Sequence, residues 1–306
     1  MLVHVVSLGE CLILISREFL KSSLKSAESL VEILRAGRVP RLGSWTPRGG
    51  QPCLVLGNGP SLAQDIAQLI ATRADYGAVF CVNQFAMSDW YREIRPSQYV
   101  LADPAYWQVD VATDQQREGR RVLQERLASD TTWPMQIWLP HHAAGSPVWT
   151  ESRIVHHPHI TIRFWSTIPV TGFRSFRCLV YRLGLGAPPV QNVLIGAIFI
   201  ALQKHFSPVF ILGADHSWHE ELAVDDDNGV LVNQKHFYDS STTAAKPVYR
   251  RTDVEIGIHD LFYALARAFE GYHLLAEYAE SRGQAIINAG SKSYIDAFPR
   301  RRIHGS

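Results

Sequence analysis

One run constrains this chain more than any other: Leu54-Val55-Leu56-Gly57-Asn58-Gly59-Pro60-Ser61-Leu62, an apolar strand that enters a glycine-rich turn and leaves it toward a helix. The run from Leu62 to Ile70 has the composition of that helix, and Ser61 is placed to cap it. Glycines let bare backbone N–H groups approach an anion, and a helix N-terminus adds a favourable dipole, so the motif points to a phosphate-bearing ligand. It is neither the P-loop pattern, which needs a Gly-Lys-Ser/Thr end, nor the GxGxxG dinucleotide fingerprint. The competing reading is a tight strand-to-helix turn with no ligand.

The rest of the chain frames this motif. Its 306 residues are 46% hydrophobic and 19% charged, with a formal charge of +1, a globular composition that argues against nucleic-acid binding by phosphate neutralisation. The basic tail Arg300-Arg301-Arg302 is either a solvated end or a contact for an anionic membrane surface. Cys11, Cys53, Cys81 and Cys178 lie far apart and form no CxxC pair, which suits a reduced, cytoplasmic setting. Leu2–Ile15 is apolar but broken by His4 and Glu10. It is too short to span a bilayer and lacks the basic start of a signal peptide.

Periodicity predicts the organisation. Residues 1–50 read as an N-terminal appendage, with an amphipathic helix over Leu20–Leu34 and an Arg/Gly/Pro-rich loop after it. An interface in a homo-oligomer is one use for such an appendage. Residues 51–306 read as one domain with strands at Cys53–Leu56, Ala78–Val82, Tyr99–Ala102, Met135–Leu139, Ile160–Trp165, Val209–Leu212 and Ala285–Asn288. Helices are expected at Gln115–Ala128, at the charge-free Val193–Leu202 and at Asp253–Ser281, the last stopping at Gly283. In the last helix Leu261, Phe262, Leu265, Phe269, Tyr272 and Leu275 form an apolar stripe expected to pack on the core. Residues 216–250, polar and aromatic without period, read as an active-site lid. The alternation predicts an α/β, Rossmann-like doubly wound fold: a mostly parallel sheet with helices on both faces.

In such a sheet ligands bind beyond the carboxyl ends of the strands. Those ends carry Asn58, Asn83-Gln84, Asp103, Asp215-His216 and Asn288. So many short polar side chains at one edge predict a pocket there. Ser291, Lys292 and Ser293 form either a further ligand-facing loop or a capped turn.

Gly57-Asn58-Gly59-Pro60-Ser61-Leu62, then Val82-Asn83-Gln84-Phe85, then Ala102-Asp103-Pro104 resemble the bacterial sialyltransferases of the Campylobacter type and the flagellin-modifying proteins related to them. The helix at Val193 and the strand ending in Gly213-Ala214-Asp215 are similar as well, so the resemblance covers about half of the chain. It implies a metal-independent glycosyltransferase without cofactor, moving a sialic-acid-like or Kdo-like 2-keto acid sugar from a CMP donor to a glycan or glycolipid hydroxyl. It places Gly57, Asn58, Gly59 and Ser61 at the donor phosphate and ribose, and Asn83 with Gln84 at the phosphate or transferred sugar. Asp103 stands where the family has an asparagine. Gln191 and Asn192 stand where the family has a Ser-Gly facing the sugar carboxylate, and Gly213 with Asp215 hold the base or ribose. The family's tyrosine after Gly-x-Asp is replaced here by Ser217 or Trp218, which leaves Tyr238 or Tyr249 to meet the leaving phosphate. The family's catalytic histidine has no single counterpart. His236 and His216 are the foremost candidates for the general base, followed by His219 and His259.

Metal chemistry is the weaker reading. His216, His219 and Glu220 lack HExxH spacing, Pro158 interrupts His156-His157-Pro158-His159, and Asp225-Asp226-Asp227 precedes Asn228-Gly229 and so predicts a hairpin tip. Ser61 lacks the Gly-x-Ser-x-Gly elbow of a hydrolase nucleophile. Two alternatives stand beside the transferase. One is a Mg-dependent diphosphokinase similar to archaeal pterin diphosphokinases, with Asp103 and Asp215 on the metal. The other is a nucleotide-binding module without catalysis.

Overall fold

The computed structural model describes residues 8–37, 50–72, 76–110, 113–232, 246–247, 249–251, 254–255 and 257–303. The chain opens with a 29-residue helix, α1 (Leu8–Ala36), longer than the expected Leu20–Leu34 because the helix extends back through the apolar stretch before it. The first strand, β1 (Cys53–Leu56), is buried along its length and pairs in parallel with β2 (Ala78–Val82). Between them runs α2 (Leu62–Thr72). A short helix, α3 (Trp90–Ile94), leads to β3 (Gln98–Val100), which ends two residues before the expected Ala102. Then come α4 (Asp114–Asp130), β4 (Met135–Pro140), a one-turn α5 (Pro147–Thr150) and β5 (Ile160–Trp165). The chain continues through α6 (Arg174–Arg182) and α7 (Val193–Gln203) to β6 (Val209–Leu212).

After β6, strands β7 (Leu222–Val224), β8 (Val230–Val232) and β9 (Lys246–Pro247) form a small antiparallel sheet. Asn228, with φ +64°, turns the hairpin between β7 and β8, so the Asp225–Asp227 triplet is the exposed tip that its neighbours predict. Strands β10 (Tyr249–Arg251) and β11 (Val254–Glu255) pair with each other. That pairing corrects the start of the last helix: α8 (Ile258–Ser281) begins after Gly257, not at Asp253. It stops where Gly283 takes the left-handed conformation, φ +64°, as expected. The last strand is β12 (Ile286–Asn288).

Seven strands form one parallel sheet in the order β12-β6-β1-β2-β3-β4-β5. The chain winds outward from β1 to β5, then returns to lay β6 on the other flank of β1. Both faces are covered, which is why the strands read as unbroken apolar runs. Cys53 and Val55 of β1 face the layer holding α7 and the C-terminal part of α8, whereas Leu54 and Leu56 face the layer holding α2 and α4. This is the doubly wound α/β architecture that the alternation of elements predicts. Helix α7 has no charge because it is buried from Leu194 to Leu202. The stripe on α8 is core only toward its end: Tyr272 and Leu275 are buried, while Phe262 is 52% exposed.

Helix α1 docks through a narrow stripe. Ser29 Oγ accepts the Thr171 amide and Ser26 Oγ accepts the Phe173 amide, each at 3.0 Å, and Ile33 joins the core. Gly172 between those amides has φ +101°, and a Cβ there would collide with Ser26.

Candidate functional site

The strand order reverses between β1 and β6, and the carboxyl ends of such a pair frame the crevice in which open α/β sheets bind ligands. Here the two loops are locked together. The Gly57 amide donates to the Leu212 carbonyl at 2.9 Å and the Gly59 amide to the Gly213 carbonyl at 2.8 Å. The Ser61 amide donates to Asp215 Oδ2 at 3.0 Å, and the Ser61 hydroxyl donates to Asp215 Oδ1 at 2.5 Å. The hydroxyl expected to cap α2 is therefore turned onto Asp215, whose carboxylate accepts the amide at the start of that helix. Asp65, in the first turn of α2, accepts the Ser291 amide at 3.1 and 3.2 Å from its two oxygens.

The glycines serve this packing. A Cβ on Gly57 would strike the Gly213 carbonyl and one on Gly59 would strike the Asp215 carboxylate; Gly213 itself has φ +62°. Asp215 is only 4% exposed. Burial pushes its pKa up, against the opposing pull of the Ser61 hydrogen bonds and of Lys292.

One strand over, the edge is less complete. Asn58 Nδ2 donates to the Val82 carbonyl at 3.2 Å, which brings Asn58 beside the end of β2. Asn83 follows directly, at φ +49°, with its carbonyl accepting the Tyr99 hydroxyl at 2.5 Å. The side-chain oxygens of both Asn58 and Asn83 are buried and have no hydrogen-bond partner among the described residues. Two such acceptors at neighbouring strand ends are costly unless something donates to them. Gln84 is half-buried; its amide nitrogen lies 3.4 Å from where a Cβ on Gly119 of α4 would stand.

The same edge continues over β3 and β4. Asp103 is exposed and caps its own 3-10 turn, accepting the Ala105 amide at 2.8 Å. Trp107, at the end of that turn, has a buried indole N–H without a partner among the described residues. Its ring stacks on His142, with centroids 6.2 Å apart and planes at 18°. His141 and His142 follow β4 directly, their rings 3.7 Å apart. Burial, and then the neighbouring His142, lower the His141 pKa to about 4. Its Nδ1 accepts the Thr167 amide at 3.3 Å, from just beyond β5. Neither this histidine pair nor Trp107 stands out in the sequence. The signal was available, because both follow strand ends on the edge that the other polar residues mark.

His216 is 5% exposed at φ +53° and shares a hydrogen bond of 2.5 Å with the Tyr272 hydroxyl. Burial lowers its pKa to about 3 and raises that of Tyr272, so the imidazole is neutral in the folded protein. The Tyr272 hydroxyl also donates to Asn192 Oδ1 at 3.4 Å, and that oxygen accepts the Leu194 amide at 2.8 Å as the cap of α7. Asn192 thus ties α7 to the wall behind His216, while Gln191 is exposed beside it.

His236 and Tyr238 lie outside the described residues, as does the side chain of Tyr249. His219 is exposed against Tyr294, and His259 is exposed beside Asp260. The Ser291–Ser293 loop folds onto the protein: Ser293 Oγ donates to the Ala214 carbonyl at 2.7 Å, and Lys292 pairs with Glu220 at 2.6 Å. Arg300 is held in the same loop, donating to the carbonyls of Ser293 at 2.9 Å and Gly290 at 3.1 Å. Arg301 lies over the Phe210 ring, and Arg302 is exposed. Among the described residues, no three His, Cys, Asp or Glu side chains converge on a point that would hold a metal ion. No described helix is long and apolar enough to cross a membrane.

No protein-family model matches this chain, and no curated protein matches it. Among solved structures, the MAf glycosyltransferase from Magnetospirillum magneticum AMB-1 is similar at 13% identity and a TM-score of 0.47 over 92% of this chain. The chain spans 38% of the length of that structure.

Proposed function

We propose that this chain is a glycosyltransferase that moves a sugar from a nucleotide donor, a CMP-linked 2-keto acid of the sialic acid or Kdo kind, to a glycan hydroxyl without a metal. One observation carries the reading: two buried asparagine oxygens, on Asn58 and Asn83, without a partner among the described residues, at adjacent strand ends beside the point where the sheet reverses. Unpartnered acceptors call for a ligand with N–H or O–H donors, and a cytosine amine or a ribose or sugar hydroxyl supplies them. The sequence resemblance assigns the same two residues to the donor.

The interlocked loops shift where that donor would lie. Asp215 already supplies the anion at the start of α2, and a phosphate there would meet a second negative charge. In this reading the donor sits over the ends of β1 and β2, with the sugar toward Gln84 and Asn192. The acceptor hydroxyl gives its proton to an imidazole as its oxygen bonds to the anomeric carbon. The bond from that carbon to the phosphate oxygen breaks, and its electron pair leaves with the nucleotide monophosphate. His142 is our choice for that base, because it follows β4 on this edge and its imidazole is exposed, whereas His216 is walled in. His236 is the alternative for that base, and Tyr238 the candidate to meet the leaving phosphate.

The test is thermal shift with CMP, CDP, UDP, GDP and ATP, each with Mg²⁺ and with EDTA. A ligand that binds the folded state raises the melting temperature. The reading expects a rise with CMP in EDTA that is lost in Asn58→Ala. A rise only with ATP and Mg²⁺ replaces it with the diphosphokinase, and no rise with any nucleotide overturns it.

A further inference from the structure

Helix α1 carries a second stripe that its docking leaves uncovered. From residue 16 to 36 only Ser22, Ser23, Ser26, Ser29 and Ile33 are shielded by the protein. On the opposite side Leu20, Leu24, Ala27, Val31 and Leu34 recur at steps of four, three, four and three residues. The four large side chains of that set are 61%, 57%, 43% and 70% exposed. Such steps average 3.5 residues, the repeat of a seam that receives another helix, and Phe19 and Leu30, 64% and 47% exposed, lie along one edge of it. Charges of both signs flank this seam, with Arg17, Lys21 and Arg35 standing beside it along with Glu28 and Glu32.

We propose that two copies of this chain pair antiparallel along α1. In this register Leu24 of one copy meets the second copy's Ala27, and Leu20 meets the second copy's Val31. Lys21 then lies next to the second copy's Glu28, and the two-fold axis repeats that contact. A parallel pairing instead sets Ser23 against Glu28 and Leu30 against Arg35, with no ion pair, so charge selects the antiparallel arrangement. Among the described residues the docked stripe and the seam lie on opposite sides of the helix, so the pairing leaves the docking contacts in place.

The experiment is sedimentation equilibrium of the full chain at about 50 µM, a concentration at which mass action favours association. A dimer of the 34.4 kDa chain is expected. Leu24→Glu is expected to be monomeric with an unchanged circular dichroism spectrum. Lys21→Glu is expected to raise the dissociation constant about tenfold, and adding Glu28→Lys to it to restore the dimer. A monomeric wild type overturns the proposal, and one that also co-sediments with anionic vesicles assigns the stripe to lipid. A dimer that Leu24→Glu leaves intact, or charge reversal without rescue, overturns it equally. None of these readouts depends on the catalytic reading.

Discussion

The Asp215 carboxylate holds both the amide and the hydroxyl of Ser61, at 3.0 and 2.5 Å, and so clasps the loop after β1 to the loop after β6. The Ser61 end of the turn expected to meet a ligand's phosphate holds the protein's own carboxylate.

This clasp has a pH signature. Burial raises the pKa of Asp215 in the folded state, so the stability it contributes is full below its unfolded pKa and declines as pH rises through the folded one. Asp215→Asn keeps a partner for both Ser61 groups, because the amide oxygen accepts the N–H and the amide nitrogen donates to the hydroxyl. Urea unfolding at pH 4 to 8 is expected to show a smaller decline with rising pH in the variant. At pH 8 the variant should match or exceed the wild type. A loss of more than about 2 kcal/mol there, the scale of an unsatisfied buried group, would sink this account.

Gly59 has no room for a methyl group, since a Cβ there runs into the Asp215 side chain. Gly59→Ala is expected to cost about 1–3 kcal/mol by overpacking. Gly119 of α4 offers the contrast: its nearest neighbour would be 3.4 Å from a Cβ, so Gly119→Ala should stabilise by about 0.5–1 kcal/mol. Equal effects of the two substitutions would refute the packing argument.

His216 makes the fold sensitive to acid. Its folded pKa is lowered from 6.5 to about 3, so its contribution is full above 6.5 and is lost as pH falls from there toward 3. His216→Asn tolerates the left-handed backbone and carries no titrating charge. Between pH 7 and pH 5 the urea midpoint should fall less in this variant than in the wild type. An identical fall shows that other groups carry the acid sensitivity.

Asn83 separates stability from ligand binding. Its side-chain oxygen has no partner among the described residues and its backbone is at φ +49°, so Asn83→Gly keeps the conformation and removes only the side chain. The melting temperature without ligand is expected to change little, while the CMP-induced rise disappears. A variant that keeps the full rise takes Asn83 out of the binding site.

The sheet was readable because its strands are sandwiched: Cys53–Leu56, Ala78–Val82 and Val209–Leu212 appear as short apolar runs, and the structure returns them with the same bounds. Edges were less readable where a loop extends the backbone beyond the last paired residue, as at Leu101 and Ala102 after β3. The nine-residue α6 is hard to read for its length: at about two and a half turns it is short, although its apolar and basic residues separate onto two faces. Bare glycines look alike whether the anion they approach is a ligand or a distant aspartate, so the partner of the Ser61 turn was illegible. His141 and His142 were hidden for another reason: the stretch around them is dense in Trp, His and Pro and forms several short turns without a regular repeat.

Ser61 and Asp215 are 154 residues apart, and the whole outward winding from β2 to β5 separates them. Closing so long a loop is entropically expensive, and the clasp cannot form until the chain has wound out to one edge and crossed back. During synthesis β1 and β2, with Asn58 and Asn83, are made well before β6. A chain interrupted ahead of β6 would therefore present those two asparagines beside a Ser61 whose amide and hydroxyl have no carboxylate to meet, and β1 would be left with an open edge.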